Sequence, residues 1–295
     1  MKRIISIGAF LMMSSLFALG ISPYLKVAEL KGDMGTAREK VESVLRENGY
    51  EVIGRYQPGG SSNLSVVVFT NDKIKSFCLS AKGRGMLAAA MKVGFQKRDG
   101  KINVSILNPE YLFYAYFRDK MDNSTFKSSA LAISSDIKST MRGVGTLQQP
   151  FGGDLSSKDL KKYHYMMGMP YFDDPVKLAE FGSFQQGVST IQRNLTSGKG
   201  NTLKVYEIID EQNNIAVFGI GLPDKEEGEA HFLPIIGESH IAAMPYEIIL
   251  QNKKVTMLHG RYRFALHWPE LTMKTFTKIM SSPGDVEDAM KALVK

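Results

Sequence analysis

Residues 87–105 read LAAAMKVGFQKRDGKINVS, and residues 240–258 read HIAAMPYEIILQNKKVTML. Each writes Ala-Ala-Met, an apolar run, a tight turn, Lys and a second apolar run. Set over each other at an offset of 153, Ala89, Ala90, Met91 and Lys101 fall on Ala242, Ala243, Met244 and Lys254 without a gap. Ile102 falls on Val255 and Val104 on Met257, so the alternation of the second strand stays in phase. Phase matters because a slip of one residue turns the buried face outward. The agreement predicts a duplicated structural unit, each copy leading from a small-residue segment into a β-hairpin.

The flanking sequence repeats the same order of elements. Before the first copy, GDMGTAREKVESVLRENGYEVIGRY places Ala37, Val41, Val44 and Leu45 on one helical face. Thr36 and Glu39 have the spacing of a capping box, and Asn48-Gly49 stops the helix. Strands follow over 50–56 and 64–70. Residues 85–91 read as helical, and 92–96 and 101–107 as strands around Arg98-Asp99-Gly100. A helix covers 124–141, with Phe126, Ala130, Ile133, Ile137 and Met141 on one face. In the second copy a helix carries Phe184, Val188, Ile191 and Leu195 and ends at Gly198. Strands follow over 203–210 and 215–222, then a polar loop, PDKEEGEAHFLPIIGESH, then strands over 245–251 and 254–260. RYRFALHW reads as a strand continuing the last one, and its counterpart PEYLFYAYF as an aromatic strand. Pro269 opens a final helix that Pro283-Gly284 breaks. Residues 142–180, rich in Gly and Pro, read as a linker. The expected division is a signal peptide at 1–20, an N-terminal unit at 21–141, the linker, and a C-terminal unit at 181–295.

The N-terminus, MKRIISIGAFLMMSSLFALG, has Lys2 and Arg3, an apolar stretch to Leu19, and small residues at Ala18 and Gly20. That is the pattern of an export signal cleaved near Ile21, with an uncleaved anchor as the alternative reading. The expected location is the periplasm or outside the cell, with no stable membrane span after cleavage. The formal charge of +7 loses Lys2 and Arg3 on cleavage and becomes +5. This favours anionic partners, but no basic run interleaved with aromatics argues for nucleic acid. The single cysteine, Cys78, lies between apolar neighbours and reads as a small buried hydrophobe.

The first unit resembles the family called domain of unknown function 302. The residues that carry the resemblance are LAAAMKVGFQKRDGKINVSILNP, with Asp99-Gly100 in the hairpin and Asn108-Pro109 closing it. The family's usual Cys-Asn-Pro and its Pro before the second strand are missing from this half. The second half has Pro245 but replaces the closing Asn-Pro with GRYRF. The resemblance covers 33–118 well and 181–268 faintly. It implies an α+β fold of two tandem related units, each an antiparallel sheet backed by helices and paired with the other. It implies no activity.

Three clusters are candidates for chemistry. As a strand, HGRYRFALH projects His259, Arg261, Arg263 and His267 to one face, and His240 is placed to join them. Two guanidiniums at alternate positions grip a carboxylate or phosphate by paired hydrogen bonds; the same pattern also reads as an exposed, solubilising sheet face. His231, Glu238 and His240, with Glu247, are the residue types that ligate a divalent ion, although their spacing fits no short motif. His164, Met166, Met167 and Met169 suit Cu(I), or serve as flexible packing. No nucleophile elbow, phosphate loop or dinucleotide fingerprint occurs, and no cofactor is expected. The reading favoured is an exported, non-catalytic protein binding a small anionic ligand or an envelope partner. A metal protein or metal-dependent enzyme using the His231/His240 region is the alternative, and an envelope assembly component docking through YLFYAYF is the third.

Overall fold

The computed structural model describes residues 20–295; the export-signal reading falls, but for Gly20, on residues outside that range. Among the described residues no helix is long and apolar enough to cross a membrane. The first unit runs β1 (Tyr24–Lys31), α1 (Met34–Glu47), β2 (Glu51–Tyr56), β3 (Leu64–Thr70), α2 (Asp72–Ser80), β4 (Met91–Arg98), β5 (Lys101–Leu107), α3 (Pro109–Phe117), α4 (Ser124–Met141) and β6 (Gln149–Phe151). Its antiparallel sheet has the order β2-β3-β4-β5-β1-β6. After α5 (Ser157–Lys161), the second unit runs β7 (Val176–Glu180), α6 (Phe184–Thr196), β8 (Leu203–Asp210), β9 (Ile215–Gly221), α7 (Glu229–Ile236), β10 (Tyr246–Gln251), β11 (Lys254–Met257), α8 (Gly260–His267), α9 (Met273–Phe276) and α10 (Ser282–Ala292). Its antiparallel sheet reads β8-β9-β10-β11-β7. That is the first sheet's order strand for strand, with β6 added to the first at its edge. The fold is α+β, two tandem units of one topology. Residues 142–180 supply β6 to the first sheet and β7 to the second.

Local chemistry explains most elements. Every residue of β3 is buried, as a Val-rich strand covered on both faces must be. Asp99 and Gly100 take positive φ (51° and 72°) in the β4–β5 turn, the conformation a tight hairpin requires. The first helix departs from its expected start. Asp33, not Thr36, caps it: the Thr36 amide donates to Asp33 Oδ1 at 2.9 Å. Asp is as good a cap as Thr, and choosing it adds a turn. The polar loop after β9 contains α7, and Pro283 sits in the first turn of α10 instead of breaking a helix, a position where its missing N–H costs nothing.

The repeated Ala-Ala-Met segments form the junction between the units. Ala242 and Ala243 lie in a 3-10 turn, Glu238–Ala243, that packs on β4 of the first unit. The corresponding turn of the first unit, Gly85–Ala88, packs on β9 and β10 of the second. A Cβ on Gly94 of β4 would lie 2.5 Å from Ile241 Cγ2 and 2.7 Å from the Ala242 amide nitrogen. Small residues therefore let backbone meet backbone at this contact. One buried apolar cluster runs through both units.

PEYLFYAYF is a helix, α3, not a strand, and Tyr111 to Phe117 are all buried. Asn108 caps it, accepting from the Glu110 amide at 3.2 Å, and Pro109 occupies the first turn. Phe113 and Phe117 stack with ring centres 5.1 Å apart; Phe77 packs on both and Phe126 on Phe117. A docking edge built on YLFYAYF is thereby removed: these rings fill the core.

Candidate functional site

RYRFALH is likewise helical, and this rearranges the first cluster. In α8 the residues two apart point to opposite sides, while those four apart share a side. Arg263 and His267 turn inward, 2% and 1% exposed, and Arg261 turns outward. His259 is the N-cap: its Nδ1 accepts from the Arg261 amide at 3.2 Å. It does for α8 what Asn108 does for α3. Burial lowers its pKa, which keeps that nitrogen free to accept. The strand reading, with four basic side chains on one face, is overturned by the helical period.

Arg263 is the centre of a buried polar cluster between the units. Its Nη2 donates at 2.6 Å to the carbonyl oxygens of Ala243 and Pro245 and lies 3.4 Å from Glu247 Oε2. Its guanidinium carbon stands 3.8 Å from the centre of the Tyr246 ring. Glu247, on β10, is also the partner of Lys92, on β4 of the first unit, and the Tyr206 hydroxyl reaches it at 3.5 Å. Burial works to strip Lys92 of its proton, against the pull of Glu247. Two buried cations thus share one buried carboxylate. Tyr24 donates to the His267 carbonyl at 2.9 Å. His240 packs edge-on against Tyr24, ring centres 4.9 Å apart, and beside Trp268; burial brings its pKa to about 4, and it is neutral. His240, Arg263 and His267 are therefore buried at the junction of the units, where His240 packs on Tyr24 and Arg263 reaches Lys92 of the first unit through Glu247.

A second buried acid crosses the same junction. Glu229, on α7, accepts from the Gly59 amide at 3.0 Å and from the Tyr56 hydroxyl at 3.2 Å. Burial raises its pKa to about 7. The sequence reading missed it, together with Lys92, and named Glu247 only as a metal ligand. A signal existed: Lys92 in AAAMKVGF and Glu247 in MPYEIIL are single charges inside apolar runs, which read as buried, paired groups.

Arg261 alone of the first cluster faces an opening. It lines a cavity of about 210 Å³ against the outer side of α8, where Ala265 forms the floor and Met166, Met169, Leu271, Met273, Phe276 and Met280 the walls. Two of the four methionines belong to the segment read as a copper site. His164 is not in that wall: its Nδ1 bonds the Met166 carbonyl oxygen at 2.9 Å and its ring lies against Tyr171. Tyr163 and Tyr165 tie the segment down, their hydroxyls donating to the carbonyl oxygens of Ala265 (2.8 Å) and Leu271 (3.5 Å).

Among the described residues no three His, Cys, Asp or Glu side chains gather closely enough to hold a metal ion. His231, Glu238 and His240 are therefore no such set: His240 is in the aromatic core and Glu238 meets Gln96 of the first unit at 3.4 Å. Cys78 is wholly buried, and burial pushes its thiol far above the ordinary range, so it is inert packing.

No family model matches the chain, and no curated protein matches it. A solved structure that resembles it is that of an uncharacterized conserved protein, DUF302, from Bacillus stearothermophilus, at 12% sequence identity and a TM-score of 0.35. The match covers 41% of this chain and 97% of that one. The family named for that structure is the one that the Asp99-Gly100 hairpin and the Asn108-Pro109 close resemble in the sequence.

Proposed function

We propose that this is an exported, non-catalytic binding protein whose ligand is a small anion held by Arg261 in the cavity beside α8. The N-terminal basic-apolar-small pattern supports export. The observation that carries the binding reading is the setting of Arg261. Its helix partners at Arg263 and His267 are buried, whereas Arg261 is exposed, lines an apolar opening and makes no ion pair among the described residues. A guanidinium against apolar walls has a weakened competitor in water and offers paired donors to a carboxylate or phosphate. The buried acids Glu229 and Glu247 are each held by partners across the junction between units. The test is a thermal-shift screen of small anions with the wild-type chain and with Arg261→Ala. A stabilising anion whose effect disappears in Arg261→Ala, with the variant's own melting temperature unchanged, is the expected result. An anion that stabilises both proteins equally places the site elsewhere.

A further inference from the structure

We infer that the ligand of this cavity is an amphiphile with a single short aliphatic chain and an anionic head, of the class of medium-chain carboxylates; the inference rests on the anion reading of Arg261. Exposed large apolar side chains are few among the described residues, and they are not scattered evenly. Met166, Met273 and Met280 are 48%, 48% and 59% exposed, and all three line this one cavity. Thioether chains are unbranched and polarizable, and they reshape around an aliphatic chain without a fixed mould. Arg261 supplies the positive charge of the lining. No ion pair among the described residues includes Arg261. One unpaired arginine beside an apolar hollow complements one negative head on an apolar tail, and it repels a copper ion that the thioethers alone would suit.

Size limits the tail. At about 210 Å³, the cavity is smaller than the roughly 300–1,000 Å³ of sites for drug-sized molecules. It has room for one short chain and not for the two long chains of a membrane lipid. Each CH₂ added to a ligand should strengthen binding about fourfold until the chain outgrows the cavity, after which affinity levels off.

Calorimetric titration of the whole protein with acetate, hexanoate, octanoate and decanoate tests this, each below its micelle-forming concentration. Octan-1-ol serves as the uncharged control, and ¹³C-methyl-methionine NMR reports the place of binding. The expected result is affinity rising along the series and then levelling, with octan-1-ol at least tenfold weaker than octanoate. Arg261→Gln should reduce octanoate to the level of octan-1-ol, and the methyl signals of Met166, Met169, Met273 and Met280 should move on binding. If acetate binds as well as octanoate and both need Arg261, the amphiphile inference is overturned and the anion reading stands. If octanoate and octan-1-ol bind equally and Arg261→Gln changes neither, the anion reading falls too. Binding to phosphatidylglycerol vesicles with none to octanoate would overturn the inference in favour of a membrane surface.

Discussion

Lys92, Glu247 and Arg263 are buried charges, and removing one partner strands the others. Glu247→Gln leaves two cations without an anion, so it should cost about 3–5 kcal/mol of stability, read as a fall in the urea midpoint at pH 7. A loss under about 1 kcal/mol would show that the carboxylate is not what neutralises Lys92. His259 carries a smaller cost because it acts through one hydrogen bond. His259→Ala should lose about 1 kcal/mol, and His259→Asn, which restores the cap used by α3, should lose little. Glu229 gives a pH dependence whose sign can be worked out. Its folded pKa of about 7 lies above the ordinary 4.5, so the folded state holds the proton more tightly. The stabilisation it contributes is complete below about pH 4.5 and is lost as pH rises through 7, by about 3 kcal/mol in total. His240 and His267 work in the opposite direction: burial lowers both pKa values, and their contribution is lost as pH falls below the ordinary histidine range. Comparing urea melts of the wild type and Glu229→Gln at pH 5 and pH 8 isolates the first effect. The wild type should fall relative to the variant at pH 8, and parallel behaviour at both pH values would contradict the assignment. At this scale the sequence named Arg261, Arg263 and His240, but not their surroundings, because whether a charge is buried depends on contacts from the other unit.

Elements were legible where a local rule decides them. Helix α4 and strands β3, β5 and β8 coincide with their sequence readings, since each has a clear period and a stop. Helices α3 and α8 did not. Both are short and buried on nearly every side, so the 3.6 period does not stand out in α3, and in α8 the buried Arg263 and His267 imitate the alternation of a strand. A further clue lies in the spacing. The strands of the two halves correspond at an offset of 153, but the caps Asn108 and His259 are 151 apart. Strand β5 has seven residues and β11 four, so the second hairpin is cut short before its helix. Set at 151, Tyr111 meets Tyr262 and Phe113 meets Phe264. Strands β1 and β7 were missed because their partners are distant in sequence: β1 pairs with β5, and β7 with β11. The turn-on-strand contact makes its own prediction. Gly94→Val puts a branched side chain against the Ile241 side chain and the Ala242 backbone and should cost about 1–3 kcal/mol. Unchanged thermal stability in that variant would mean that the turn does not sit on β4.

For the whole molecule, the continuous apolar cluster through both units predicts one cooperative unfolding transition. Calorimetry should give a single peak whose van't Hoff and measured enthalpies agree; two separated peaks would mean that the units melt independently. The paired sheets themselves were foreseeable from the repeat, because matching phase in two copies fixes which face each one buries. What the repeat could not reveal was the asymmetry of their contact.

That asymmetry follows from covalent linkage. At the offset of 153, Lys92 corresponds to Pro245 and Glu247 to Gly94. The ion pair across the junction therefore has no mirror image; its symmetry mate is a proline facing a glycine. Two separate identical subunits meeting about a twofold axis would have to write every contact twice, acid and base on each side. A tandem chain is released from that obligation. One half is free to become the donor of a cation and the other its receiver, and the pairing of the halves acquires a direction that no homodimer of the parent module can have.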